Sequence, residues 1–161
     1  MNIRQAVSED SKAIKKIADL LYIEMPDFVW NTEKFIKEQV ERGEYYVAVF
    51  SDLSAEASAQ AGALAKEEQI VGIASLRERN GMMYIETLAV AKDIRSKGVG
   101  SKLVEFAKQL ARENGFKILR VTSFYEYGVK DFYIKHGFKL LDKLGEYSGH
   151  KFHRLDFELN E

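Results

Sequence analysis

The chain has no cysteine and a single proline, and its 24 Lys+Arg against 25 Asp+Glu leave a net charge of −1 over 161 residues. Without cysteine there is no disulfide framework, no thiolate zinc site and no cysteine nucleophile. The balanced charge argues against a sequence-independent nucleic-acid binder, which would carry a basic excess to neutralise phosphates. No apolar run approaches the ~20 residues a membrane helix needs. The start, Met1-Asn2-Ile3-Arg4-Gln5-Ala6-Val7-Ser8-Glu9-Asp10, turns acidic before a signal-peptide core can form. These absences predict a cytoplasmic protein with neither nucleic-acid nor membrane partners. What the chain does have is 46% hydrophobic residues, enough for one domain over residues 1–161 with a core of its own.

Hydrophobic periodicity orders the elements. Ile3, Ala6 and Val7 predict a first strand. Ser8-Glu9-Asp10 offers a cap to a helix carrying Ile14, Ile17, Ala18 and Leu21, and Asn31 or Thr32 caps a second with Phe35, Ile36 and Val40 on its inner side. The connection between them, Tyr22–Trp30, is unusually aromatic, and reads either as a loop packed on the core or as a lip facing substrate. Tyr45–Phe50, Ile70–Leu76 and Met82–Val90 predict strands, with an Ala-rich excursion at 52–69 between the first two. In the third, Tyr84, Glu86, Leu88 and Val90 are expected on one face. Gly98–Asn114 is a helix with an apolar stripe of Leu103, Phe106, Ala107, Leu110 and Ala111. Phe116–Phe124 is strand-like, a short helix carries Val129, Phe132, Tyr133 and His136, and Phe138–Leu144 with Lys151–Leu159 reads as a final hairpin. The order β-α-α-β-β-β-α-β-α-β-β predicts an α+β fold, one central sheet flanked by helices.

The strongest chemical signal is Arg95-Ser96-Lys97-Gly98-Val99-Gly100-Ser101 at the start of the long helix. Two glycines allow close backbone approach, and the first-turn N–H groups of a helix lack internal partners. With the helix dipole and two basic side chains they suit a phosphate or pyrophosphate; a plain glycine-assisted turn is the alternative. The run lacks the third glycine of a dinucleotide fingerprint, and no Gly-Lys-Ser/Thr of a P-loop exists in the chain.

Two segments together carry a family resemblance. Ile85–Gly100 resembles the strand-turn-helix of the GCN5-related N-acetyltransferases, whose loop reads Gln/Arg-x-x-Gly-x-Gly/Ala. Phe132-Tyr133-Ile134-Lys135-His136-Gly137-Phe138 matches the family's Tyr-x-x-x-Gly-Phe segment at the expected distance. Two positions depart from the family pattern, with Glu126 standing where an Asn is common and Val129 where an Ala is.

The resemblance implies a central mixed, mostly antiparallel sheet and an enzyme that moves an acetyl group from acetyl-CoA, as co-substrate and without a metal, directly to the primary amine of a small molecule or peptide. It places the cofactor in a V-shaped gap between Met82–Val90 and Ile118–Phe124. The backbone of Leu88 would polarise the acetyl carbonyl, with Ala89 beside it and Val90 pairing with pantetheine, and Arg95, Ser96, Lys97, Gly98, Val99, Gly100 and Ser101 would hold the pyrophosphate. Glu86 is the candidate base, sharing a face with Leu88 and Val90, and Tyr133 the candidate acid; a solvent-facing strand glutamate and a core tyrosine are the plainer alternatives. A non-catalytic acyl-CoA-binding module on the same fold is the competing function, and a homodimer is among the arrangements the family admits. His136, His150 and His153 are not expected to share a metal, and Arg77-Glu78-Arg79 reads as a hairpin rim. Glu24, Asp27, Glu86 and Glu126 either form an acidic mouth suited to a cationic amine or are dispersed.

Overall fold

A computed structural model describes residues 1–51, 68–94 and 97–159. The 52–67 part of the Ala-rich excursion, with Arg95 and Ser96 of the phosphate-loop expectation, lies outside the described residues. In chain order the elements are β1 (Asn2–Gln5), α1 (Ser11–Ala18), α2 (Glu33–Glu41), β2 (Tyr45–Ser51), β3 (Glu68–Arg79), β4 (Met82–Val90), α3 (Val99–Glu113), β5 (Ile118–Phe124), α4 (Lys130–Lys135), β6 (Lys139–Leu140), β7 (Gly145–Tyr147) and β8 (His150–Glu158). One sheet runs β1-β2-β3-β4-β5-β8-β6, with β7 also on β8. Every pairing is antiparallel except β4 with β5. The α+β architecture read from the sequence is therefore the one observed.

Each face of the sheet is covered for a reason visible in the helices. Ile14, Ile17 and Ala18 of α1 and Ile36 and Val40 of α2 pack on Tyr45, Val47, Val49, Ile73 and Ala89. On the other face Val99 and Leu103 of α3 meet Ala48, Val71 and Ala74, and Val104, Ala107 and Ala111 continue onto Leu76, Ile85, Leu119 and Leu155. The α3 stripe takes in Val104, with Phe106 and Leu110 only half-buried. A close approach fixes the start of α3: a Cβ on Gly72 would lie 2.8 Å from Val99.

Three sequence expectations shift. The first strand stops at Gln5, because Asp10 folds back to accept the Val7 N–H at 2.8 Å and makes Ser8–Asp10 a 3-10 turn ahead of α1. β3 runs on through Arg77-Glu78-Arg79, because Asn80 and Gly81 both take positive φ (53° and 77°) and close a tight two-residue turn only after Arg79. These residues are strand, not rim. The tail is three strands and not two: Ser148 and Gly149 (φ 49° and 82°) turn β7 onto the start of β8, and β6 pairs further along at Leu155 and Asp156.

β1 is tied to α1 by charge. The Arg4 guanidinium donates to both Asp10 carboxylate oxygens at 2.8 and 3.1 Å, and Asp10 is 8% exposed. Burial pushes this carboxyl up, but Arg4 and the Val7 amide outweigh it and hold it below the ordinary 3.8. A lowered folded-state value stabilises above the unfolded one and is lost as pH falls through the folded one. Asp10→Asn is expected to cost about 1–3 kcal/mol at neutral pH, and the difference from the unaltered protein should narrow as pH falls below the ordinary 3.8 and towards the lower folded-state value. Urea unfolding across that range measures it; a gap that does not narrow on acidification would show that the carboxylate charge is not its source.

Candidate active site

The site begins with one extra residue in β4. Thr87 pairs with Ser75 and Ile85 with Leu76, which leaves Glu86 as a bulge with no partner on β3. A bulge re-aims side chains and bends the strand. Before it, Met83 and Ile85 face α3. After it, Leu88 and Val90 face α3 and Ala89 faces α1 and α2. Glu86 and Thr87 fall on the α1/α2 side together, where both line one cavity. The expectation that Glu86 shares a face with Leu88 and Val90 is therefore corrected: strict alternation ends at the bulge.

The same place ends the pairing of β4 with β5. Their parallel ladder covers only Met83–Ile85 against Leu119–Val121. Beyond Ile85 the strands separate, so the β5-facing backbone groups of β4 have no ladder partner there, and a gap opens through the sheet. A cavity lies at each mouth of the gap.

The cavity on the α3 side has a volume of about 570 Å³ and is lined by Leu88, Ala89, Val90, Gly98, Val99, Gly100, Ser101, Glu126, Tyr127, Val129, Phe132 and Tyr133, with Leu20 and Leu21. Gly98 takes φ 81° as the N-cap of α3, and among the described residues no side chain caps the helix, so first-turn amides remain for a ligand. A Cβ on Gly100 would make an ordinary contact with Phe132 at 3.4 Å, so only a side chain larger than alanine's would fill this wall. Lys97 is exposed beside it. His136 contacts the Ser101 hydroxyl at 3.0 Å and holds the end of α4 to the first turn of α3. Tyr133 is 4% exposed yet reaches the cavity, and burial pushes its hydroxyl above the ordinary 10, which keeps it protonated at neutral pH. Both of its sequence readings, core tyrosine and site residue, are compatible with this placement.

The cavity on the α1/α2 side measures about 440 Å³. Its wall is aromatic: Trp30, Phe124 and Tyr147 meet with ring centroids 5.4–6.4 Å apart, and Phe152 lies 6.0 Å from Phe124. Glu86, with a side chain 11% exposed, is surrounded by donors. It accepts from Trp30 Nε1 at 3.3 Å, Gln39 Nε2 at 3.2 Å and Arg79 Nη2 at 3.1 Å, and Arg77 stands 3.5 Å away. Behind it Tyr45, Ser75 and Thr87, in register across β2, β3 and β4, form a buried polar layer. Leu21 and Tyr127 line both cavities and are joined by a 2.7 Å hydrogen bond from the Tyr127 hydroxyl to the Leu21 carbonyl.

Long-range contacts account for what sequence reasoning missed. Arg77, Arg79, Gln39, Tyr127, Tyr147, Phe152 and Arg154 gave no local motif; only the tyrosine and phenylalanine density of the tail hinted at a wall. The Tyr22–Trp30 connection serves both of its readings, with Met25 and Phe28 buried and Trp30 turned to the cavity. The four acidic residues are dispersed. Glu24 is exposed, Asp27 accepts the Ser148 hydroxyl at 2.7 Å, Glu126 pairs with His150 on the α3-side cavity, and Glu86 is held by arginines. His150 and His153 point to different neighbours, Glu126 and the stacked ring of Tyr125.

Comparison with known proteins agrees with this arrangement. Residues 17–138 match the model of the acetyltransferase (GNAT) family. Streptothricin acetyltransferase A of Bacillus subtilis is 39% identical over 74 residues, a stretch covering 45% of this chain and 43% of that relative's own length. Among solved structures, Ard1 from Thermoplasma volcanium superposes with a TM-score of 0.75 at 18% identity, covering 99% of this chain and 98% of that one. The PaiA N-acetyltransferase of Thermoplasma acidophilum, in complex with coenzyme A, gives 0.71 at 16% identity, covering 97% and 98%. With a family model matching most of its length and the same fold in these neighbours, the chain belongs to the GNAT family of acetyltransferases.

Proposed function

We propose that this protein transfers the acetyl group of acetyl-CoA to a primary amine on a small molecule or peptide. The observation that carries the reading is the pair of cavities at the β4/β5 gap that share Leu21 and Tyr127, one beside the glycine-lined start of α3 and the other beside the half-buried Glu86 carboxylate. The α3-side cavity fits acetyl-CoA as substrate. Gly98, Val99, Gly100 and Ser101 present amides to the pyrophosphate, Lys97 adds charge, and the unpaired edge of Leu88, Ala89 and Val90 offers backbone partners to pantetheine. The Thermoplasma acidophilum neighbour, solved with coenzyme A, supports the same use here. The lack of cysteine suits a direct transfer and a cytoplasmic setting.

The thioester supplies an activated acetyl group: the amine nitrogen forms the new C–N bond as the C–S bond breaks. Leu88 stabilises the charge that develops on the acetyl oxygen through its backbone. Glu86 is the one carboxylate among the residues lining the acceptor cavity, and it takes the proton the amine nitrogen must lose. Tyr133 gives its hydroxyl proton to the departing sulfur and is reprotonated from solvent, as Glu86 releases its proton there.

Calorimetric titration should show micromolar acetyl-CoA binding in the unaltered protein and a loss of at least roughly tenfold in Gly100→Leu, whose side chain occupies the cavity wall. No binding by the unaltered protein would overturn the reading. Glu86→Gln and Tyr133→Phe should each lower kcat by roughly 10²–10⁴-fold with acetyl-CoA affinity kept. A rate indifferent to both replacements would remove them from the mechanism, and binding without any transfer would favour an acyl-CoA-binding module.

A further inference from the structure

Three cations and one anion line the acceptor cavity: Arg77, Arg79 and Arg154 against Glu86. Arg79 is paired with Glu86 at 3.1 Å, and Arg77 lies between Glu86 at 3.5 Å and Glu44 at 3.8 Å. Asp156, on the same strand as Arg154, is taken by Arg120, which grips both its oxygens at 2.6 and 2.9 Å. Arg154 is left, among the described residues, with only the Lys143 carbonyl at 3.3 Å and the ring of Phe152 beneath it at 5.3 Å. A half-buried guanidinium facing a cavity without a carboxylate partner is suited to a carboxylate brought by a ligand, because its fork of donors matches the two oxygens.

Its position also sets a length. Ile85, the last β4 residue laddered to β5, pairs with Val121, Glu86 follows it at the mouth of the gap, and on the far side of β5 Thr122 pairs with Arg154 on β8. One strand and the gap therefore separate Glu86 from Arg154, at least two strand spacings or roughly 10 Å at the backbone. The aromatic wall of Trp30, Phe124, Tyr147 and Phe152 lies in the same cavity.

We propose that Arg154 is a carboxylate-binding subsite, and that the acceptor is an apolar amine whose carboxylate lies several bonds from its nitrogen, a dipeptide-sized molecule with a free C-terminus. The inference rests on the acetyl-transfer reading and names its substrate class. An extended dipeptide spans about 7 Å and reaches from the gap beside Glu86 towards Arg154, whereas the amine and carboxylate of a single α-amino acid share one carbon and cannot serve both ends. A polycation gains nothing here, since its second charge would meet Arg154 unpaired and two further arginines. The bonds made and broken are those of the transfer above, with the carboxylate a spectator.

The test measures thiol release from acetyl-CoA with Ala-Phe, with the C-terminal amide of Ala-Phe, and with spermidine. The unaltered protein should favour Ala-Phe over its amide by roughly 10- to 100-fold in kcat/KM, the range of a charge-assisted hydrogen-bonded pair. In Arg154→Gln that ratio should fall towards one, and Arg154→Lys should keep part of it. The ratio is internal to each preparation and does not depend on the fraction folded. Equal use of acid and amide, or a preference for spermidine, would overturn the carboxylate subsite and leave acetyl transfer standing. No thiol release with any of the three would overturn the acetyl-transfer reading, and this inference with it.

Discussion

The site depends on the extra residue at Glu86. In an unbroken ladder β4 would send alternate residues to alternate faces along its whole length, and Glu86 and Thr87 would be separated by the sheet. With the bulge both lie on the α1/α2 side, while Leu88 and Val90 stay with α3. The same local twist carries β4 away from β5 after Ile85. An interior strand rarely gives up ladder bonds, because unpaired backbone groups away from water cost about as much as a lost hydrogen bond. Here they face a gap, where a bound ligand or solvent can reach them. The bulge thus makes one opening that serves two cavities from opposite faces.

What holds the opening in shape is the carboxylate of the bulged residue. Hydrogen bonds to an ionised acceptor are roughly twice as strong as neutral ones, and Glu86 collects donors from three places: Trp30 in the α1–α2 connection, Gln39 on α2, and Arg79 on β3, with Arg77 near. One side chain therefore fixes a loop, a helix and a strand against the bulge. Behind it Tyr45, Ser75 and Thr87 lie fully packed in register across β2, β3 and β4. Tyr147 extends the clamp on the far side by donating to the Asp27 carbonyl at 3.2 Å and packing on Trp30.

The α3-side cavity was legible in the sequence and the α1/α2-side cavity was not, and the difference is one of contact range. Gly98, Gly100, Tyr133 and Gly137 work through local geometry, a left-handed N-cap, an open wall and a helix end, so their spacing along the chain carries the information. The bulge is a property of register between β3 and β4. The residues Met82–Val90 are apolar on both sides of Glu86-Thr87 and carry no mark of an extra residue, so plain alternation predicts one face for Tyr84, Glu86, Leu88 and Val90 and errs after Glu86. Arg77 and Arg79 looked like a rim because the apolar run ends at Leu76, whereas the strand is ended by the Asn80-Gly81 turn. The tail read as a single hairpin for a similar reason: β7 has three residues, and its pairing to β8 rests on the Ser148-Gly149 turn more than on any apolar pattern.

This division has a consequence for how specificity is built. The α3-side cavity is lined largely by the end of β4 (residues 88–90), the start of α3 (98–101) and residues of the 126–133 segment. The acceptor cavity draws on the α1–α2 connection, α2, β3, β4, β5 and the β7–β8 hairpin, mostly through side chains. Exchanging Phe152 or Arg154 on β8 leaves the start of α3, the Gly72 contact and the bulge register untouched, because none of these includes β8. The tail can change the shape and charge of the α1/α2-side wall while the backbone lining the α3-side cavity stays in place. Of the four charged residues on that wall, Arg77, Arg79 and Glu86 lie within the family's matched segment at 17–138 and Arg154 lies outside it, so under the proposed function the tail adjusts the wall's charge by one arginine more or less.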